Sequence, residues 1–231
     1  MIRGLIFDFD GLILDTEVPD FAAWQEMFAE HGVALPREEW TPLIGTHGGA
    51  FDMYGYLETH AGRPIDHADI RERRRARFHA LIAAEAILPG VEAYIAAAKE
   101  RGMKVGLASS SSREWVVGHL SRLDLHVHFD AIKTSDDVPQ VKPDPALYRA
   151  ALDALSLRPD EAIALEDSRN GIAAAKAAGM FCVTIPNAMT RDLDLSAADL
   201  RLTSMAELPL AELVKIAEMA ATTHGDGTKP V

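Results

Sequence analysis

Along most of the chain, short apolar runs alternate with longer stretches in which apolar residues recur at helical spacing. Residues 91–101 read as a helix closed by Gly102, and residues 104–108 as a strand. The pattern then repeats: helix 112–123, strand 131–134, helix 144–155, strand 162–165, helix 171–178 closed by Gly179, and strand 181–185. A last strand within 198–203 and a last helix over 206–221 complete it. Strands separated by helices of this length predict a parallel sheet covered on both faces. The first apolar run, residues 3–7, is built of branched and aromatic side chains and reads as a strand buried on both faces.

Between that strand and Leu88-Pro89-Gly90 the pattern is different. Phe21, Trp24, Met27 and Phe28 recur at helical spacing before a stop at His31-Gly32. Residues 37–44, 50–61 and 66–86 are further helical candidates, with a glycine-rich loop at 45–49. No strand is predicted there, and the stretch is long enough for a small bundle of its own. The expected organisation is an α/β core of residues 1–15 and 89–222, a helical cap of residues 16–88 inserted after the first strand, and a disordered tail at 223–231.

Composition narrows the partners. The formal net charge of −12 argues against nucleic acid or an anionic membrane surface. It does not exclude an anionic substrate, because one lysine or a metal ion reverses the field inside a pocket. The single cysteine, Cys182, rules out an internal disulfide and fits a reducing compartment. No apolar run approaches a membrane span, and the chain opens on a strand rather than a signal peptide. A cytoplasmic monomer that meets a small-molecule substrate is expected.

The chemistry collects at strand ends. The first strand runs into Asp8-Phe9-Asp10-Gly11, where two carboxylates two residues apart leave the chain in roughly the same direction. Like charges that close repel unless a cation or a shared proton relieves them. Turn-forming aspartates, with Asp15 or Thr16 capping a helix, would explain this motif alone. The other strand ends decide the matter. They carry Ser109-Ser110-Ser111 and Glu166-Asp167, and Lys142 lies in the loop after the third strand. In a parallel sheet these ends converge. Acidic oxygens in that number suit a hard cation such as Mg²⁺, and Ser109 and Lys142 suit an anion beside it. A nucleophile, a metal and an opposing cation are what phosphoryl transfer requires.

The stretches 8–17, 107–111, 142–145 and 165–171, in this order, resemble the haloacid dehalogenase superfamily, in the branch with a helical cap between its first two core motifs. The resemblance implies a Rossmann-like, doubly wound parallel sheet and a Mg²⁺-dependent phosphatase of small phosphorylated metabolites, sugar phosphates in the first place. It implies Asp8 as the nucleophile that forms an aspartyl-phosphate, with Asp10 as general acid and then base. Mg²⁺ would be held by the Asp8 carboxylate, the Asp10 main-chain carbonyl and Asp167, with Glu166 near or in the shell. Ser109 would hydrogen-bond the transferring phosphoryl group, and Lys142 would balance its charge. Thr46, His47 and Ser110 are the candidate substrate-binding residues.

Within the superfamily, Asp10 favours phosphate chemistry over carbon–halogen cleavage. The absence of lysine between Met1 and Lys99 excludes the Schiff-base route of phosphonate-cleaving members. The β-phosphoglucomutase type, an isomerase, is the alternative. Against it stand Asp20, where mutases carry a histidine, and Ile44, before the cap-loop glycine. A non-catalytic ligand-binding module is disfavoured by the intact motifs. A dinucleotide-dependent oxidoreductase is disfavoured because no Gly-x-Gly-x-x-Gly follows the first strand. The basic run 71–77 reads as a solvated helix face paired with acids; the sharper reading sends one arginine down to the substrate. His126 and His128, at strand spacing without carboxylate or cysteine partners, do not suggest zinc.

Overall fold

The computed structural model describes residues 1–40 and 51–225. A six-stranded sheet forms the centre: β1 (Gly4–Phe7), β2 (Lys104–Ala108), β3 (Ala131–Lys133), β4 (Ala162–Glu166), β5 (Phe181–Thr184) and β6 (Leu200–Arg201). Every pairing is parallel, and the spatial order is β3-β2-β1-β4-β5-β6. Chain order reverses direction across β1 and β4, the switch point where open α/β sheets bind ligands.

The central strands are largely apolar because both faces are covered. Leu5, Phe7, Val105, Leu107, Ile163, Leu165 and Val183 enter one core cluster, with α5 (Val91–Glu100), α6 (Arg113–Arg122) and α9 (Leu210–Gly225). Ile6, Ala108, Ala162, Ala164 and Cys182 enter the other, with α7 (Ala146–Leu155) and α8 (Arg169–Ala177). Period-two alternation along β1 thus sends Leu5 and Phe7 one way and Ile6 the other.

Between β1 and α5 the chain is helical: α1 (Glu17–Ala29), the single turn α2 (Arg37–Trp40), α3 (Met53–Ala61) and α4 (His67–Ala83). These helices share a separate apolar cluster built on Trp24, Met27, Phe28, Trp40, Leu57 and Ile70. The chain leaves the sheet at Leu14 and returns at Ile87, and the two residues pair in an antiparallel bridge. Leu88 N–H donates to Ile13 O at 2.9 Å beside it.

Several elements differ from the sequence reading, three of them instructively. Helix α8 starts at Arg169, not at 171, because Ser168 Oγ accepts the Gly171 N–H at 3.1 Å and caps it. Residues 126–128 form a 3₁₀ turn rather than an extended pair. Helix α9 runs on to Gly225, so residues 223–225 are helical and not a disordered tail; Thr222 Oγ1 donates back to Met219 O and satisfies a late carbonyl. No helix among the described residues is long and apolar enough to cross a membrane.

Candidate active site

Pairing continues one residue past β1, where Asp8 N–H donates to Leu165 O at 3.0 Å. That bond sets the first carboxylate beside Glu166 and Asp167 at the end of the neighbouring strand. Gly11 then adopts a left-handed φ of 76°. A side chain there would be strained by the backbone, and its Cβ would also lie 2.4 Å from Asp167 Oδ2. Asp15 Oδ1 accepts the Glu17 and Val18 N–H groups, each at 3.1 Å, and starts α1 directly over the site.

Asp8, Glu166 and Asp167 are all buried, and one oxygen from each lies within 4.8 Å of the others. Lys142 Nζ donates to Asp8 Oδ1 and to Glu166 Oε1, both at 2.6 Å. Tyr148 OH also donates to Glu166 Oε1, and Ser168 Oγ approaches Oε2 at 3.4 Å. Glu166 is thereby committed to holding the lysine. Gly171 makes the space for it, since a Cβ there would sit 1.9 Å from Glu166 Oε2. Asp167 Oδ2 accepts from Asn187 Nδ2 at 2.8 Å, and the same amide reaches Gly11 O at 3.2 Å.

The electrostatics follow from burial. Asp8 is pushed above the usual carboxylate range by desolvation, against the pull of Lys142. Desolvation raises Glu166 to about 6, again opposed by Lys142. Asp167 is raised well above the ordinary value by burial and then by Asp8 and Glu166. Burial would discharge Lys142, but Asp8 and Glu166 outweigh it and hold the ammonium charged. Three carboxylates against one ammonium leave two negative charges, the complement of one divalent cation. Hard oxygen donors in a site this acidic fit Mg²⁺.

Asp10 turns to the β2 side. Its Oδ2 accepts from Ser111 Oγ at 2.6 Å and from Ser109 Oγ at 3.4 Å, and its Oδ1 from Trp115 Nε1 at 2.9 Å. A cavity of about 290 Å³ opens over these groups, lined by Asp8, Asp10, Lys142 and Asp167 from below and by Glu17, Asp20 and Phe78 from the helical insertion. Ser110 lines it as well. Glu17 is raised to about 8 by burial and then by Asp10, Asp20, Asp15 and Asp8. Thr46 and His47, and Ile44 with them, lie outside the described residues.

The structure thus brings together Asp8, Asp10, Ser109, Ser110, Lys142, Glu166 and Asp167. Sequence reasoning missed several residues of the site, among them Glu17, Asn187, Tyr148, Trp115 and Phe78. Asn187 follows β5 on the same edge, and the strand-end rule extended to that strand would have found it. Tyr148 has the spacing of a core residue of α7 and is one in all but its hydroxyl. Trp115 and Phe78 carried no signal beyond being aromatic. In the basic run, Arg73 pairs with Glu30 and Asp69, and Arg77 with Glu26, as expected of a solvated face. Arg74 pairs with Asp20 at the edge of the cavity.

Comparison with known proteins agrees with this geometry. Residues 5–185 match the haloacid dehalogenase-like hydrolase family. The candidate phosphatase YhcW of Bacillus subtilis (strain 168) is 50% identical over 214 residues, covering 93% of this chain and 97% of YhcW. Hexitol phosphatase B of Escherichia coli (strain K12) is 34% identical over 218 residues, covering 92% of this chain and 97% of its own. A crystal structure of a CbbY variant from Rhodobacter sphaeroides, in complex with xylulose 1,5-bisphosphate, superposes with a TM-score of 0.71 at 36% identity, covering 90% of this chain and 96% of that one. With family, fold and strand-end carboxylates in agreement, the chain belongs to the haloacid dehalogenase-like hydrolases, in a branch whose named relatives include phosphatases.

Proposed function

We propose that this protein is a divalent-cation-dependent phosphatase of small phosphorylated sugars and polyols that works through an aspartyl-phosphate on Asp8. The observation that carries the reading is the pairing of buried Asp8 with Lys142 while Asp10 stands apart, held by serine hydroxyls and an indole. Two carboxylates so close take different roles only when their environments differ, and here they do.

Lys142 and Ser109 bind the phosphoryl group. An Asp8 oxygen attacks phosphorus, the bond to the sugar oxygen breaks, and Asp10 delivers its proton to that oxygen. Water then attacks the aspartyl-phosphate, Asp10 takes the water's proton, and the acyl–phosphate bond breaks to give inorganic phosphate and free Asp8. Asp8, Asp167 and the Asp10 main-chain carbonyl would hold Mg²⁺, which when bound offsets the charge of the phosphate. The helical insertion serves as a cap, with Glu17 and Asp20 offering acceptors to substrate hydroxyls. Arg74 is neutralised by Asp20, which favours a neutral polyol tail over a second phosphate at that wall. A mutase must shield its aspartyl-phosphate from water; Asp20 in place of a histidine favours hydrolysis.

The test is phosphate release from a panel of hexose, pentose and hexitol phosphates, with Mg²⁺ and with EDTA. Turnover is expected with Mg²⁺ alone, falling by at least about a thousandfold in Asp8→Asn. Interconversion of hexose 1- and 6-phosphates without net release would overturn hydrolysis in favour of the mutase.

A further inference from the structure

Trp115 stands in the first turn of α6, four residues after Ser111, and joins three features that are otherwise separate. Its Nε1–H donates to Asp10 Oδ1 at 2.9 Å. Its ring stacks on Phe78 of α4, with centroids 5.6 Å apart and planes at 15°. His119 meets it edge-on at 4.2 Å, and the His79 ring lies 6.1 Å away. The indole therefore cannot turn without disturbing these aromatic contacts, and its N–H stays aimed at the carboxylate.

The chemistry of the donor sharpens this. A serine hydroxyl can donate or accept, so Ser109 and Ser111 tolerate either orientation of the Asp10 carboxyl. An indole N–H can only donate. Oδ1 is therefore held as an acceptor, and Oδ2, 2.6 Å from Ser111 Oγ and 3.4 Å from Ser109 Oγ, is the oxygen left to carry a transferable proton.

The same helix also grips the end of α4. Arg122, two turns on from Trp115, donates to the carbonyls of Ile82, Ala83 and Glu85 at 3.3, 3.4 and 3.3 Å. A cation on the last carbonyls of a helix is favourable both as a hydrogen bond and against the helix dipole. Helix α6 thus fixes α4 at two points, Phe78 and the C-terminal turn.

We propose that Trp115 is the positioning residue of the acid/base: it sets the orientation of the Asp10 carboxyl and, through Phe78, makes that orientation depend on α4 being seated on α6. The proposal rests on Asp10 acting as general acid, and the experiment separates the two. It compares kcat/KM for the sugar phosphate turned over best in the panel with that for acetyl phosphate, whose acetate leaving group needs no proton and whose small apolar end offers no ring to stack.

Asp10→Asn is expected to lose about a hundredfold or more on the sugar phosphate and far less on acetyl phosphate. Without that selectivity the acid role itself falls, whatever Trp115 does. Given that selectivity, Trp115→Phe, which keeps the stack and removes the N–H, should lose about tenfold to a hundredfold on the sugar phosphate. On acetyl phosphate the loss should stay under about threefold, with KM for the sugar phosphate little changed. Phe78→Ala should show the same selectivity at about threefold to tenfold. Equal losses on both substrates, or none, in Trp115→Phe would overturn the positioning role. A Phe78→Ala effect confined to KM would overturn the link to α4, and that variant reports even if Trp115→Phe proves poorly folded.

Discussion

The edge of the sheet and the helical insertion above it both hold many charges, but they hold them differently. At the sheet edge, Asp8, Lys142, Glu166 and Asp167 are all buried, and each is held by a hydrogen bond to a specific partner. In the insertion, Arg73 and Arg77 pair with Glu30 and Glu26 on an exposed helix face. A buried network is high-stakes, because removing one member leaves the others charged and dry. An exposed pair is screened by water and worth little. The contrast shows where substitution is costly: the buried charges are locked into the core, while the helical insertion above them rests on exposed pairs that can change with little loss of stability.

That contrast can be broken most directly at Lys142. Lys142→Met leaves Asp8 and Glu166 without their cation, and a loss of about 3–5 kcal/mol is expected in urea unfolding, along with loss of turnover. Gly171→Ala tests the same network from behind. Its Cβ would displace a Glu166 carboxylate that Lys142 and Tyr148 hold in place, and overpacking of this kind costs about 1–3 kcal/mol. If the network is one unit, the double substitution should cost less than the sum of the two, which the same unfolding curves report.

Glu17 sharpens the comparison, since it belongs to the insertion but titrates like a buried group. Its folded pKa, about 8, lies above the unfolded value, so its contribution to stability is full below about 4.5 and is lost as pH rises through 8. In EDTA, Glu17→Gln should therefore flatten the fall in unfolding free energy over that window, gaining about 1–2 kcal/mol over wild type at pH 8. An unchanged slope would show that Glu17 is solvated as an ordinary surface carboxylate. The smallest effect is expected at Arg77: Arg77→Ala should leave the thermal midpoint and kcat/KM unchanged within error, and a clear shift in either would mean the exposed face is not the neutral scaffold described here.

The sheet was legible in the sequence because parallel strands buried on both faces leave largely apolar runs, and its candidate site was legible because polar groups follow several such runs at once, where any one of them alone could be a turn. Asp8, Asp10, Ser109, Glu166 and Asp167 at strand ends, and Lys142 in the loop after the third strand, do converge. What the pattern could not show is contact made across the chain between ordinary-looking residues. Tyr148 looks like core, Trp115 like one more helical aromatic, and Asn187 like a turn former; each matters for the partner it reaches. Element ends were misplaced where a side chain extends or caps the backbone, as Ser168 does for α8. The fate of the α9 end was missed because polar, Gly-containing composition says little about where a helix already under way will stop.

The bridge between Leu14 and Ile87 carries one more consequence. The exit and entry of the insertion lie side by side, so the whole segment is attached as if it were a single long turn. Its removal or exchange would leave the sheet with a gap that a few residues could close, and the cost of tethering a longer or shorter segment there grows only slowly with its length. A gene for this enzyme could therefore acquire a new substrate preference by replacing one uninterrupted stretch of sequence, with the aspartates on one side of the splice and the lysine on the other left in register.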